Sequence, residues 1–323
     1  MTRVQATTQA SAGRDARIGR ALLVLTSVAF VIFCTAFVPR LTNVHFGDVE
    51  FTGWSGPLGS RILRGDRPYV DFVLPIPPGS FVVLAFLEKL CGKPLLLQEL
   101  GLNAALHLAM SLLAYAMART ITSPKNAVLT AVATLTTVIQ LNKECAYDHT
   151  AQVVAWASVA AGMHALAATD GRRKNRLWVL TGFLSGFTLA FKQSTALGAV
   201  FGWVASLGYL ALTDGRAGRA GESRDRSREL ARYGRGVALG LAAVWLLLLL
   251  LGSTLRAFVQ AVFLDASMLK GGAKTLAWNL MVYLFDFPSY AAPLGGIAAF
   301  VWIGHRLFVR RKGLRIKIGR AHV

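Results

Sequence analysis

Acidic residues are scarce in this chain: 16 Asp and Glu stand against 35 Lys and Arg in 323 residues. Cysteines are scarcer. Cys34, Cys91 and Cys145 are too few for a disulfide framework and lack the spacing of a metal-ligand set, leaving open only a Cys91–Cys145 bridge. Charge of either sign is missing altogether from several long stretches. A net charge of +19 invites a nucleic-acid partner, but Lys and Arg sit in short clusters between apolar runs. They are not interleaved with aromatics on a polar face, so no nucleic-acid partner is expected.

What fills the chain is apolar sequence: 54% of residues are hydrophobic and the mean hydropathy is +0.49. That exceeds what a soluble domain of this length buries, so membrane lipid supplies part of the solvent. Eight uncharged stretches are each of about bilayer length: Ala21–Val38, Gly101–Ala118, Asn126–Asn142, Thr150–Thr169, Leu177–Phe191, Gln193–Thr213, Val237–Leu255 and Phe287–Gly304. The expected fold is an all-α polytopic membrane protein, a transmembrane bundle of about eight spans. A basic N-terminus (1–20) precedes the transmembrane domain (21–309), and a basic tail (310–323) follows. The first span lacks a small-residue cleavage site and is read as a retained helix. Residues from about 316 resemble adapter-encoded sequence, so the chain is expected to be an N-terminal fragment.

Orientation follows from the basic clusters. If the apolar stretch Gly79–Cys91 does not cross, segments 1–20, 119–125, 169–176, 214–235 and the tail from Arg306 share one side and hold 24 of the 35 Lys and Arg. The positive-inside rule makes that side cytoplasmic, at the inner (plasma) membrane. Were Gly79–Cys91 to cross, the Arg172-Arg173-Lys174-Asn175-Arg176 cluster and the 214–235 arginines would fall outside, so it is expected not to span. Segment 39–98 is then one long external loop, and loops of such length tend to carry function. Within it Phe51, Trp54, Leu58 and Ile62 recur at helical spacing, and Ser80–Cys91 forms a second candidate, which suits helices lying in the membrane interface. The turn Pro75-Ile76-Pro77-Pro78-Gly79 separates the two.

The few acids gather on the external side by this topology: Asp48, Glu50, Asp66, Asp71, Glu88, Glu144, Asp148, Asp265 and Asp286, with Glu99 at the start of the second span. Asp48 and Glu50 are two apart, so in an extended segment their carboxylates point the same way, and one beside the bilayer can serve as general base. A plain solvated loop is the competing reading. Asp148 with His149 stands just before the fourth span, where Asp is also an ordinary helix N-cap. Lys192 and Gln193 interrupt apolar sequence between the fifth and sixth spans, where a lysine can neutralise a phosphate or snorkel. Asn103 and His107, one turn apart in the second span, suit an interhelical hydrogen bond better than a metal site. The 214–235 arginines read as an anchor on anionic lipid.

Taken in order, the first span, Asp48-Val49-Glu50, Gly65-Asp66-Arg67-Pro68-Tyr69-Val70-Asp71-Phe72, Pro77-Pro78-Gly79, Asp148 and Gly186-Phe187-Thr188-Leu189-Ala190-Phe191-Lys192-Gln193 resemble the GT-C glycosyltransferases. The likeness is to the bacterial branch related to protein O-mannosyltransferases and lipid A aminoarabinose transferases, over roughly residues 15 to 305. The resemblance implies transfer of a sugar from a polyprenyl-phosphate-linked donor to a lipid, glycan or protein acceptor at the external (periplasmic) face. It implies catalytic roles for Asp48, Glu50 and Asp148, with Lys192, Arg64 or Arg67 facing the donor phosphate. Tyr69, Asp71, His149 and Gln193 would line the substrate loop. No cofactor is certain; a divalent metal is neither required nor excluded. Departures include Asp-x-Glu in place of an adjacent acidic pair and Glu99 where arginine is common. The rival function is a polytopic transporter or lipid flippase, which usually needs ionisable groups or broken helices near the midplane.

Overall fold

A computed structural model describes residues 54–92, 96–138, 146–216 and 220–266, together with Ala21, Val24, Ser27 and Val28. Those four isolated positions are helical. The rest of the first expected span, the whole of the last, and Asp48, Glu50, Phe51, Glu144, Cys145 and Asp286 lie outside the described residues. Among the described residues there is no strand; the chain forms nine α-helices there. We number them α1 (Gly56–Leu63), α2 (Gly79–Cys91), α3 (Leu96–Arg119), α4 (Pro124–Val138), α5 (Ala146–Ala167), α6 (Gly171–Phe187), α7 (Gln193–Arg216), α8 (Ala220–Leu250) and α9 (Leu255–Val259). A 3₁₀ turn, Thr188–Ala190, follows α6, and a π-helical turn, Gln260–Asp265, follows α9.

Among the described residues, three helical segments are long and apolar enough to cross a membrane: Gly101–Arg119, Gln193–Asp214 and Asp225–Leu250. They associate the chain with a bilayer. Helices α3 to α8 overlie the six middle apolar stretches, and their short connections make each neighbour reverse direction. Helices α3, α5 and α7 therefore start, and α4, α6 and α8 finish, at one end of the bundle, called here the site end. The opposite end carries Arg119, Lys125, Arg172, Arg173, Lys174 and Arg176 and is called the basic end. Helix α2 is 13 residues long, about 20 Å, too short for a bilayer core of about 30 Å.

Helices α6 and α8 run parallel and make the tightest contact, because glycines face each other across it. A Cβ on Gly186 would stand 2.6 Å from the Val237 carbonyl oxygen. One on Gly236 would run into the Val179 carbonyl and stand 2.8 Å from the Phe183 amide nitrogen. Gly182 and Gly240 are equally closed, against Tyr233 and Phe183. Gly182-x-x-x-Gly186 and Gly236-x-x-x-Gly240 are thus a reciprocal small-x-x-x-small pair, the packing device of helices in lipid. Hydroxyls add polar links inside the bundle: Ser158 Oγ donates to the Thr181 carbonyl at 3.0 Å and lies 2.7 Å from Ser185 Oγ, joining α5 to α6. Ser111 Oγ donates to the Ala131 carbonyl at 2.7 Å, joining α3 to α4.

The segment before α3 has its own small core. Leu58, Phe72, Leu74, Phe81 and Leu84 are buried together, with Trp54 packed edge-on against Phe81 at 5.7 Å between ring centroids. Each such side chain contributes about 1.5–3 kcal/mol relative to exposure in water. Glu88, one of the acids expected on the external side, serves this packing: Ser60 Oγ donates to it at 2.6 Å, tying α1 to α2. Helix α2 ends at Gly92 in the left-handed conformation, with Cys91 a free, exposed thiol, so the Cys91–Cys145 bridge is not formed.

Candidate functional site

The motif Gly65–Phe72 folds as a tight knot on the end of α8. The Tyr69 amide donates to the Phe72 carbonyl at 3.0 Å and the Asp71 amide to the Arg67 carbonyl at 2.9 Å. The Asp71 carboxylate accepts from the Arg67 backbone N–H at 2.8 Å, from Nε at 3.1 Å and from Nη2 at 3.0 Å. That guanidinium holds the Asp71 carboxyl down at about 2, while the carboxylate raises the arginine. Arg61 pairs with Asp66 at 2.8 Å and stacks over the Phe72 ring at 4.5 Å. Tyr69 is the only non-glycine residue with positive φ (66°) among the described residues. A tyrosine held there costs on the order of 1–3 kcal/mol, and the surroundings over-determine it. Its hydroxyl donates to the Ile76 carbonyl at 2.8 Å and its ring packs edge-on against Phe258 at 5.5 Å. Burial pushes its phenol far above the usual tyrosine range.

Two close approaches seat this knot at the site end. At the corner after α8, Gly252 takes a left-handed φ of 68° and leaves no room for a Cβ, which would stand 2.8 Å from Arg67 Cδ. The next residue, Ser253, is buried and donates through Oγ to the Pro68 carbonyl at 2.7 Å. On the other side, a Cβ on Gly79 would stand 2.6 Å from the Ala190 carbonyl oxygen and 2.9 Å from Phe191 Cδ1. Only glycine lets the Pro77-Pro78-Gly79 turn lie directly on the 3₁₀ turn that leads into Lys192.

Lys192 and Asp148 meet there. Lys192 Nζ lies 2.5 Å from Asp148 Oδ1, with side chains 31% and 32% exposed, so the pair is two-thirds withdrawn from solvent. Asp148 is not the helix cap that its sequence position allowed: α5 begins at Ala146 and Asp148 lies in its first turn. Its carboxylate is spent on the lysine from the start of α7. Beside it, His149 Nδ1 lies 3.3 Å from Asn103 Oδ1, which accepts from the imidazole N–H. The His149 ring stacks edge-on against His107 at 4.6 Å. Asn103 thus makes the expected interhelical bond. His107, 1% exposed, has no hydrogen-bond partner for either ring nitrogen among the described residues. Gln193 Nε2 donates to the Val262 carbonyl at 3.4 Å, while its Oε1 is buried and has no partner among the described residues.

Residues from four separated stretches therefore converge: 67–79, 103–107, 148–149 and 190–193, closed over by 252–262. Arg64 is exposed just after α1. Arg67 engages Asp71 through Nε and Nη2 within its own loop, whereas Lys192 lies with Asp148 where the four stretches meet. Asn103, His107, Gly79 and Gly252 enlarge the expected set. The two glycines are legible only through close approach, which sequence spacing does not reveal. No group of three or more His, Cys, Asp or Glu arranged to hold a metal occurs among the described residues.

No family model, curated protein or solved structure matches this chain.

Proposed function

We propose that this chain is an integral membrane glycosyltransferase of the GT-C type, moving a sugar from a polyprenyl-phosphate-linked donor to an acceptor at the external membrane face. The observation that carries the reading is the convergence of Pro77-Pro78-Gly79, Asp148 and Lys192 at one end of the bundle. These are elements of the ordered pattern that resembles this family, drawn from distant parts of the chain. In this reading about eight spans cross the inner membrane, the N-terminus is cytoplasmic and the site end faces out.

The chemistry asks for two things. A base must take the proton of the acceptor hydroxyl as the new glycosidic bond forms, and a cation must stabilise the phosphate as the lipid leaves. Asp48 is proposed as the base, with Glu50 beside it. Lys192, held beside Asp148 at the site end, is proposed as the cation that faces the phosphate oxygens. Asp148 fixes the lysine's direction, and Asn103 fixes His149 next to it.

The test is sugar transfer by the full chain in proteoliposomes, supplied with polyprenyl-phosphate sugars labelled in the sugar. Label should leave the donor for an acceptor, with Asp48→Asn and Lys192→Met abolishing that release while expression and insertion persist. Labelled lipid crossing the bilayer intact, with no release of sugar, would support the transporter or flippase instead.

A further inference from the structure

His107 is the buried group at the site end that the proposed chemistry does not use. It lies on α3, one turn beyond Asn103, and is 1% exposed, with neither ring nitrogen hydrogen-bonded among the described residues. A buried polar atom left without a partner carries its full desolvation cost, so an imidazole with both nitrogens idle calls for an explanation. A leucine there would avoid that cost. The spacing of Asn103 and His107 suited an interhelical bond, and Asn103 makes it, to His149.

Contacts tie this histidine to the Asp148–Lys192 pair. Asn103 and His107, four residues apart, share a face of α3, and both meet His149 near the start of α5. Asn103 Oδ1 holds the His149 ring at 3.3 Å, and the ring meets His107 edge-on with 4.6 Å between centroids. The residue before His149 is Asp148, whose carboxylate lies 2.5 Å from Lys192 Nζ. His149 therefore links the two: its ring touches His107, and its chain neighbour carries the ion pair.

The chemistry of the cluster selects its ligand. Asn103, His107 and His149 supply an amide and two imidazoles, with no carboxylate among them. An imidazole presents an N–H on one nitrogen and a lone pair on the other, which matches a hydroxyl, itself both donor and acceptor. A metal ion would find no set of three His, Cys, Asp or Glu among the described residues. Because the ring is shut off from bulk water, a hydroxyl that reaches it meets no competing solvent.

We propose that His107 is a sugar-binding residue, whose ring nitrogens hydrogen-bond hydroxyl groups of the sugar on the polyprenyl phosphate at Lys192, with Asn103 holding His149 as a wall of the same subsite. The inference rests on the donor reading above and adds to it a residue that recognises the sugar itself.

The test measures binding to the full chain in nanodiscs, without acceptor, of polyprenyl phosphate and of polyprenyl phosphates carrying mannose, glucose or arabinose. Wild type should bind at least one sugar lipid about tenfold more tightly than bare polyprenyl phosphate, the worth of one or two net hydrogen bonds. His107→Phe, which keeps a ring and deletes both nitrogens, and the smaller His107→Leu should bring sugar-bearing and bare lipid to near parity. Both should leave the affinity for bare polyprenyl phosphate as in wild type, whereas Lys192→Met should weaken every lipid alike. A preference that persists in either His107 variant would overturn the proposal. So would an equal weakening of all the lipids by both, or failure of both to fold, each the mark of a structural histidine satisfied by ordered water. Equal wild-type affinity for all the lipids would remove the subsite and leave the donor reading standing; binding of none would remove both.

Discussion

Replacing Gly236 by alanine gives the sharpest test of how the bundle is held together, because two effects of opposite sign compete there. In an ordinary helix Gly→Ala stabilises by about 0.8–1.0 kcal/mol through the backbone entropy it removes. At Gly236 the new methyl would run into the Val179 carbonyl and stand 2.8 Å from the Phe183 amide nitrogen and 2.9 Å from Gly182 Cα. All three atoms are backbone, so no side chain can swing aside. The helices must move apart by at least about half an ångström, loosening contacts along the whole interface, at a cost of about 1–3 kcal/mol for overpacking. Set against the propensity gain, Gly236→Ala should be neutral to destabilising by about 2 kcal/mol. At Gly234, two residues earlier on α8, an added methyl would meet nothing within 4 Å, so Gly234→Ala should stabilise by up to about 1 kcal/mol. The assay is SDS-induced loss of helical circular dichroism, with the purified full chain in mild detergent. Gly236→Ala proving as stable as Gly234→Ala would refute the close α6–α8 packing.

Other outcomes follow from the site end. In a double-mutant cycle, Asp148→Asn and Lys192→Met should each destabilise and couple by about 1–2 kcal/mol, less than a fully buried pair because both side chains keep a third of their exposure; additive effects would mean that the pair does not form. Tyr69→Phe should cost about 1 kcal/mol through the lost bond to the Ile76 carbonyl, whereas Tyr69→Gly relieves the positive φ but removes the ring from Phe258, so a chemical-denaturation series should rank glycine below phenylalanine. The Asp71 carboxyl is held below its unfolded value, so its contribution is complete above about pH 4 and is lost as pH falls toward about 2. Asp71→Asn should remove that part of the acid-induced destabilisation, read as the shift in unfolding midpoint between pH 5 and pH 2.5.

The parts of the fold that sequence made legible are those set by local pattern. Charge-free runs overlie α3 to α8, because a charge inside a bilayer is costly. The basic clusters expected as loops do not bound the helices, however: residues 172–176 open α6, and residues 220–235 form the first half of α8. Non-crossing of Gly79–Cys91 followed from loop charges alone, and α2 is correspondingly short. Asp148 and Lys192 stood out because they interrupt apolar sequence, yet nothing local tells that they pair, since 44 residues separate them. The role of Asp148 as a lysine partner, and not a helix cap, depends on α5 starting two residues before it. Gly79, Gly252 and the two glycine pairs were invisible for a related reason: a glycine's importance lies in which backbone comes close, and that is a tertiary fact. Likewise Arg67, Asp71, Asp66 and Glu88 look like free site residues in sequence, whereas three-dimensional proximity consumes each in a local pair.

Asp48 and Glu50 are central to the proposed chemistry and lie outside the described residues, so their distance from the Asp148–Lys192 pair is the decisive quantity. Spin labels at Asp48→Cys and Asp148→Cys, with Cys34, Cys91 and Cys145 replaced by serine, would measure it by pulsed electron spin resonance on the full chain in nanodiscs. A shared membrane-edge cavity predicts a separation below about 20 Å, well inside the bilayer core thickness of about 30 Å. A separation of about 30 Å or more would place the two acids at opposite faces, and glycosyl transfer with Asp48 as base would be contradicted.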